Sequence, residues 1–544
     1  MKKSLFILFL FVYGITFSQV EDAWVYFKDK PNSETYLNNP TSMLTQRAID
    51  RRVTQNIPLD ILDVPIFQSY IDQVTVSTGI AVKAKSKWLN CLHVRGSKMN
   101  IDLLKIFSFV DRVDFANQSF NVAKLSSNKK ISNQTTPKTN KIFESKVNFD
   151  YGNSFNQIQM LNGHLLHQLN YTGTGKIIAV LDSGFLGVNT AQPFQRLFTN
   201  GLILGGYNYV NKSTNFYTGD SHGTFVLSFM GGYKEGQLIG TAPDASYYLF
   251  ITEDVASENP VEESNWVEAA EEADRLGVDI ITSSLGYFGF DNPNYSHTYS
   301  DMTGNSNFAS KGANIAFNKG IVVVASAGNE GASTTEKHIG TPAEALNVIA
   351  VGAVNSVETY ASFSSIGPSF DNRVKPDVVA QGQNPYFSDT SGNIVNSSSG
   401  TSFSCPITAG MIACLWQALP TKTSQELKQL IIQSSDKFSN PTNQLGYGIP
   451  DFNLALSNGL STTSYSEFDY FIYPNPTNET ITFTLPQTSK SGLIAIFTAL
   501  GQTVLENEIS YQTPTVSLKP LAKGIYFYKI KMDGFFKTGK IIKQ

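Results

Sequence analysis

Three short apolar runs, each delivered into a turn of small residues, constrain this chain more than any other feature. K-I-I-A-V-L ends in Asp182-Ser183-Gly184, V-D-I-I-T-S runs into Ser284-Leu285-Gly286, and I-V-V-V-A-S runs into Ala327-Gly328-Asn329. Runs that are apolar on successive residues have no wet face, so they predict strands buried on both sides. The segments between them have helical periodicity. In W-V-E-A-A-E-E-A-D-R-L, residues Trp266, Val267, Ala270, Ala273 and Leu276 fall near one face. Alternating strands and helices predict an α/β domain with a mainly parallel central sheet between two helical layers. It spans residues 148–460.

The chain has 544 residues, more than one compact domain usually holds, and the flanks differ in character from the centre. Residues 19–123 mix strand-like A-W-V-Y-F-K, V-T-V-S-T, A-V-K-A, C-L-H-V and D-R-V-D-F with helix-like M-L-T-Q-R-A-I-D-R-R-V and I-D-L-L-K-I-F, which predicts a small α+β domain. Residues 124–147 are polar, basic and poor in large apolar groups, which predicts a linker and a processing region. A second polar linker at 461–467 precedes residues 468–544, where alternating I-T-F-T-L, L-I-A-I-F and I-Y-F-Y-K-I predict a small β-sandwich.

Residues 1–18 carry two lysines, a short apolar run and a terminal serine, the pattern of an export signal peptide. No later stretch supplies about twenty uninterrupted apolar residues, so no transmembrane anchor is expected. Lys plus Arg total 41 against 45 Asp plus Glu, which gives no whole-chain basis for nucleic-acid binding. The three cysteines, Cys91, Cys405 and Cys414, make no disulfide framework. Cys405 and Cys414 fall on one predicted helix and read as packing residues.

Ser402 stands in G-T-S-F-S-C-P before an apolar helix, where unpaired N–H groups and the helix dipole favour negative charge. Taken singly, Ser402 reads as a helix cap, Asp182 as a turn residue, His222 in H-G-T as a structural imidazole and Asn329 as a turn former. Together they supply complementary chemistry. A serine hydroxyl needs an imidazole to take its proton, the imidazole needs a carboxylate to fix its tautomer, and an amide can donate to a developing oxyanion.

The blocks A-V-L-D-S-G, H-G-T and G-T-S-x-x-x-P, in this order and with full-domain spacing, resemble the subtilisin-like serine peptidase family over about residues 165–458. Subtilisin's Asp, His, Ser order is an established property of that enzyme. The resemblance implies Asp182 as the orienting carboxylate, His222 as general base, Ser402 as nucleophile and Asn329 as oxyanion donor. Phe403, Ser404 and Cys405 depart from the family's usual Met, Ala and small residue, yet they preserve the hydroxyl and the helix.

By the same resemblance, Ser284, Leu285 and Gly286 form a substrate-binding edge for an extended polypeptide, and Ser326, Ala327 and Gly328 line the pocket for the residue before the cut. The following Y-F-G-F and N-P-N-Y are expected to add an aromatic rim and a preference for apolar or aromatic residues. The chemistry requires no cofactor. Structural calcium is common in the family, and F-D-N-P-N-Y-S-H-T-Y-S-D offers oxygen ligands without a diagnostic loop pattern. No H-E-x-x-H motif offers a metallopeptidase mechanism.

The first flank resembles the inhibitory, chaperone-like propeptide of such enzymes, which implies a zymogen. The tail, beginning Y-P-N-P, resembles the sorting domain of Bacteroidetes type IX secretion substrates, which implies that secretion machinery as a partner and a secreted or surface-attached product. A nonpeptidase serine hydrolase and a catalytically inactive surface-binding protein remain as alternatives at this level.

Overall fold

The computed structural model describes residues 20–121, 148–460 and 472–544, apart from 484–491, 499–501, 511 and 533–534. The predicted signal segment 1–18, the processing stretch 124–147 and the linker 461–467 lie outside these residues.

The central sheet has seven strands, all pairing in parallel, in the order Val378–Gln381, Ile349–Val354, Val322–Ser326, Ile280–Ser283, Ile177–Asp182, Ser246–Ile251 and Ile203–Asn208. The strand ending at Asp182 therefore lies between the one ending at Ser283 and the one ending at Ile251. Alternate side chains face opposite layers. Ile178, Val180, Val322 and Val324 pack with Val226, Ile407, Met411 and Leu415 from the helices His222–Gly231 and Thr401–Ala418. Ile177, Ala179, Leu181, Val323 and Ala325 pack with Trp266, Ala270, Ala273 and Ala313 from the helices Val261–Leu276 and Phe308–Asn318. These are the three predicted layers.

Four antiparallel strands form the N-terminal sheet, in the order Ile80–Ser86, Cys91–Ser97, Val20–Phe27 and Val110–Phe115. Helices Gln68–Thr75 and Lys98–Leu103 complete a β-α-β-β-α-β plan around Val25, Leu92, Val94, Ile101 and Phe115. The V-T-V-S-T stretch is not a strand: Val74 and Thr75 close the helix, with Val74 fully buried, so tertiary packing overrides the β-branched composition.

This sheet rests on the helix Val261–Leu276, within one compact unit that ends at Leu460. Trp24 donates to Ser264 at 2.8 Å, and Glu271 accepts from Ser86, Lys87 N–H and Trp88 N–H at 2.6–2.9 Å. Glu262, Glu263, Glu271 and Asp274 are buried alongside the apolar stripe, and of these Glu271 and Asp274 meet groups of the N-terminal domain. Amphipathic patterning locates the inward stripe and gives no sign that the polar face is covered as well.

The second unit, Ser461–Gln544, has two sheets. One orders Ile472–Tyr473, Thr480–Phe483 and Thr515–Ser517; the other orders Thr503–Ile509, Gly492–Phe497, Gly524–Met532 and Phe535–Lys543. Ile481, Phe483, Ile494, Val516, Ile530 and Ile541 share their core, as the period-2 pattern predicts for a sandwich. No helix among the described residues is long and apolar enough to cross a membrane.

Candidate active site

Asp182 is the last residue of its strand and is fully buried. Its Oδ1 accepts from Ser183 N–H and from His222 Nδ1, both at 2.8 Å. His222 opens the helix His222–Gly231 and is held by its own N–H donating to Asp220 at 2.8 Å. The glycine after His222 is required by the close approach: a Cβ on Gly223 would lie 2.4 Å from Gly184 O and 2.9 Å from Asp182 Cβ. Burial disfavours the charged imidazole, but the adjoining Asp182 carboxylate outweighs it and holds the His222 pKa above its ordinary value. That leaves Nε2 as the imidazole nitrogen free to exchange a proton.

Ser402 is the second residue of the helix Thr401–Ala418, in the first turn, where the helix supplies no acceptor for its N–H. Pro406 is the sixth residue of that helix and lies inside it, past the first turn. An interior proline deprives the carbonyl four residues back of its donor. That carbonyl belongs to Ser402, and Ser284 Oγ donates to it at 2.8 Å instead. In return Ser402 Oγ donates to Ser284 O at 3.3 Å rather than to the imidazole. Catalytic hydrogen bonds are commonly loose without substrate. Ser284, expected only at the substrate edge, is thus also tied to Ser402. The proline was the signal for it: a missing donor implies a substitute.

Asn329 lies at the neighbouring strand end, and its Oδ1 accepts from Thr401 N–H at 2.9 Å and Thr401 Oγ1 at 3.2 Å. With the oxygen so engaged, the amide donor Nδ2 faces the start of the Ser402 helix, 3.6 Å from where a Cβ on Gly400 would stand. Thr401 also accepts from Gly328 N–H at 3.1 Å, joining Ala327-Gly328-Asn329 to the same helix. Sequence reading passed over this role for Thr401.

The structure revises the substrate-side expectations in part. The strand Ile280–Ser283 is paired on both sides, so its edge is free only beyond Ser283. Ser284 and Leu285 are buried and Gly286 is exposed. Ser326 and Ala327 are buried, and Gly328 adopts φ +102° with Ser365 Oγ 2.8 Å from a Cβ position there. The aromatic rim is not formed by Tyr287, Phe290 or Tyr295, which are core residues. Packing against the Val261–Leu276 layer draws them inward, and Tyr295 donates to Glu21 of the N-terminal sheet at 2.9 Å.

In the stretch Phe290–Asp301, Asp291 accepts from Glu258 N–H and Asp301 caps Thr298, so these oxygens serve turns. Glu253, Glu258 and Glu262 are the grouping of carboxylates among the described residues whose spacing suits a metal ion. Cys91, Cys405 and Cys414 are buried free thiols, and burial pushes Cys405 up to about 12.

Residues 173–448 match the subtilase family, residues 22–135 the peptidase S8 propeptide domain of Bacteroidota, and residues 471–544 the secretion system C-terminal sorting domain. Subtilisin from Bacillus pumilus is 31% identical over 50% of this chain and 87% of its own length. Subtilisin NAT from Bacillus subtilis subsp. natto is 30% identical over 52% of this chain, and the match spans 66% of its length. The solved structure of MycP1 from Mycobacterium smegmatis is 20% identical, with TM-score 0.44, over 61% of this chain and 94% of that one. The sorting domain marks a product that is secreted or attached to the cell surface. With a propeptide domain before the three-layer domain and a sorting domain after it, the chain belongs to the subtilase family.

Proposed function

We propose that this protein is a secreted serine endopeptidase in which Asp182, His222 and Ser402 act as a triad and Asn329 completes the oxyanion hole. The observation that carries the reading is the 2.8 Å Asp182–His222 contact at the same end of the sheet as Ser402, which heads its own helix. His222 Nε2 takes the Ser402 hydroxyl proton as Oγ bonds to the scissile carbonyl carbon, and the carbonyl electron pair moves onto oxygen. Ser402 N–H and Asn329 Nδ2 stabilise that oxyanion. When the tetrahedral intermediate collapses, the C–N bond breaks and the amine leaves with the proton from His222. Water, deprotonated by His222, then hydrolyses the acyl-enzyme.

An extended polypeptide enters along Ser284, Leu285 and Gly286, with the residue before the cut against Ser326, Ala327 and Gly328. Residues 1–18 act as the signal peptide, 19–123 as a propeptide that restrains the enzyme, and 124–147 as the region cut during maturation. Residues 148–460 form the peptidase domain, 461–467 a linker and 468–544 the module that engages the type IX secretion machinery.

Fluorophosphonate labelling of the secreted, processed protein tests the reading. Modification mapped to Ser402 and absent from Ser402→Ala supports it; a folded, processed protein that resists labelling overturns it in favour of a surface-binding role. A labelled protein that turns over small esters but no polypeptide favours a nonpeptidase hydrolase.

A further inference from the structure

The two stretches assigned above to substrate, Ser284-Leu285-Gly286 and Ser326-Ala327-Gly328, are linked through a third at 339–341. On one side Tyr287, the residue after Gly286, donates its N–H to Thr341 O at 2.8 Å, and Thr341 N–H returns to Tyr287 O at 3.3 Å. On the other side Ile339 N–H donates to Ile366 O at 3.2 Å, and the adjoining Ser365 N–H donates to Gly328 O at 2.9 Å. The first junction is close: a Cβ on Gly340 would stand 3.2 Å from Tyr287 O, and one on Gly286 would stand 3.8 Å from Thr341 O. The placement of 339–341 therefore bears on how the two stretches face a substrate.

Behind 339–341 lies a polar chain that has no part in the triad. Thr341, Ser310 and Glu344 are all 0% exposed. Thr341 Oγ1 meets Ser310 Oγ on the helix Phe308–Asn318, and Ser310 Oγ lies 2.7 and 2.6 Å from the two carboxyl oxygens of Glu344. Asn307 Nδ2 donates to Glu344 Oε1 at 3.2 Å, and Glu344 N–H donates to Gly340 O at 3.1 Å. The proton count gives this chain a direction. Ser310 and Thr341 carry one hydroxyl proton each, so Ser310 donates to a Glu344 carboxylate and Thr341 donates to Ser310. Both hydroxyl protons then have an acceptor. A protonated carboxyl donates into the chain and reverses it, which leaves the Thr341 hydroxyl proton with no acceptor among the described residues.

We infer that Glu344, acting through Ser310 and Thr341, is a positioning residue that holds 339–341 against the substrate edge, so that substrate binding depends on a buried carboxyl remote from the bond that is cut. The inference rests on the peptidase reading. Burial dominates the titration of Glu344 and pushes its pKa up to about 7. The Ser310 bond and the charges of Lys375 and Arg373 oppose that rise, and Glu263, itself paired with His297 at 2.6 Å, adds to it. The fully bonded chain is thus present on the alkaline side and is lost as pH falls through the Glu344 pKa.

Steady-state hydrolysis of an internally quenched octapeptide by the secreted, processed enzyme tests the inference, with active enzyme counted by fluorophosphonate titration of Ser402. Thr341→Val keeps the backbone bridge and the side-chain shape and removes the hydroxyl. It is expected to raise KM about tenfold with kcat held within about twofold, the split that marks lost binding and not a lost transition-state contact. Thr341→Ser, which puts the hydroxyl back, is expected to restore KM. Glu344→Gln cannot ionise. Its KM relative to wild type is expected to be raised several-fold at about pH 8.5 and to approach unity at about pH 5.5, where the wild-type carboxyl is protonated as well. That ratio cancels the titration of His222, which both enzymes share. A wild-type KM in Thr341→Val overturns the inference, as does a Glu344→Gln ratio that does not change with pH. If Glu344→Gln impairs folding, the two Thr341 variants carry the test alone. Absence of hydrolysis by the wild-type enzyme overturns the peptidase reading and this inference with it, so the two failures are told apart.

Discussion

The two ends of the parallel sheet are built by different rules. At the end where the strands finish, Asp182, Ser284 and Asn329 sit in short motifs next to the helices that carry His222 and Ser402. At the end where the strands begin, the N-terminal domain holds the loops that lead into them. Arg47 donates to Gly277 O and Gly175 O at 3.0 Å and pairs with Asp279 at 2.6 Å. Gln55 donates to Gly320 O at 2.7 Å and accepts from Ser424 N–H at 3.0 Å. Arg51 and Arg52 both meet the fully buried Asp274, while Lys319 reaches back to Asp60 at 2.8 Å and Asp63 at 3.0 Å. Gly277 is required twice over: its φ is +80°, and a Cβ would stand 2.8 Å from Ala48 N. At the first end each group is presented by a short local motif where a strand stops or a helix starts, whereas the opposite end is held by contacts whose partners stand 128 to 369 positions apart along the chain. If both segments act as proposed, removal of the propeptide unclamps one end and uncovers function at the other.

The largest expected effect breaks the clamp. Asp274→Ala leaves Arg51 without its carboxylate in a buried interface, a class of change that costs about 3–5 kcal/mol. The inhibition constant of separately produced residues 19–123 against the mature enzyme is expected to rise by two orders of magnitude or more, with kcat unchanged. Equal inhibition of both enzymes would detach the clamp from propeptide binding.

Asn329→Ala acts at the other end. Loss of an oxyanion donor costs about 3 kcal/mol, so kcat is expected to fall about 10²–10³-fold with little change in KM. An unaltered kcat in steady-state assays would remove Asn329 from the site. Ser284→Ala should be milder, because it leaves only the Ser402 carbonyl unsatisfied. A loss of roughly tenfold in kcat is expected, in line with about 1–3 kcal/mol for an unmet buried acceptor. Pairing it with Pro406→Ala, which restores a helical N–H to that carbonyl, should recover part of the loss; no recovery would refute the substitution of one donor for the other.

The smallest effect is a pH dependence that links the two ends. His222 must be neutral to accept a proton, and its pKa is raised, so kcat/KM should fall as pH drops through a midpoint above 6.5. Burial pushes Glu271 up to about 7 in the docked state, against its neighbours' hydrogen bonds. A carboxyl whose docked pKa exceeds its free value binds protons more tightly when docked. Docking is therefore strongest below the free carboxylate pKa and weakens as pH rises towards about 7. Inhibition measured between pH 5 and 8 should weaken on the alkaline side, and Glu271→Gln should flatten that trend. Asp274, held below the ordinary range despite its burial because Arg51 and Arg52 face it, contributes nothing in this window.

How much of this was legible depended on the range of the interaction. Continuous apolar runs such as Ile177–Leu181 fixed both faces of the sheet as buried, because a strand's faces alternate with the sequence itself. Asp182, His222, Ser402 and Asn329 were readable because each stands where a strand ends or a helix begins, and local chain geometry presents it there. The role of Ser284 was half legible: Pro406 announced a missing donor, but which hydroxyl replaced it depended on a neighbouring strand. Tyr287 and Phe290 read as surface aromatics because no periodicity marks a loop that folds into a core. The burial of the polar face of Val261–Leu276 left no local trace for the same reason. The sequence alone determined the layers, the order of the three domains and the chemical identities of the candidate catalytic groups, since these follow from periodicity, composition and short motifs. Tertiary structure decided what Ser402 leans on and that a second domain closes the starting end of the sheet, since each requires long-range contacts whose partners no local pattern encodes.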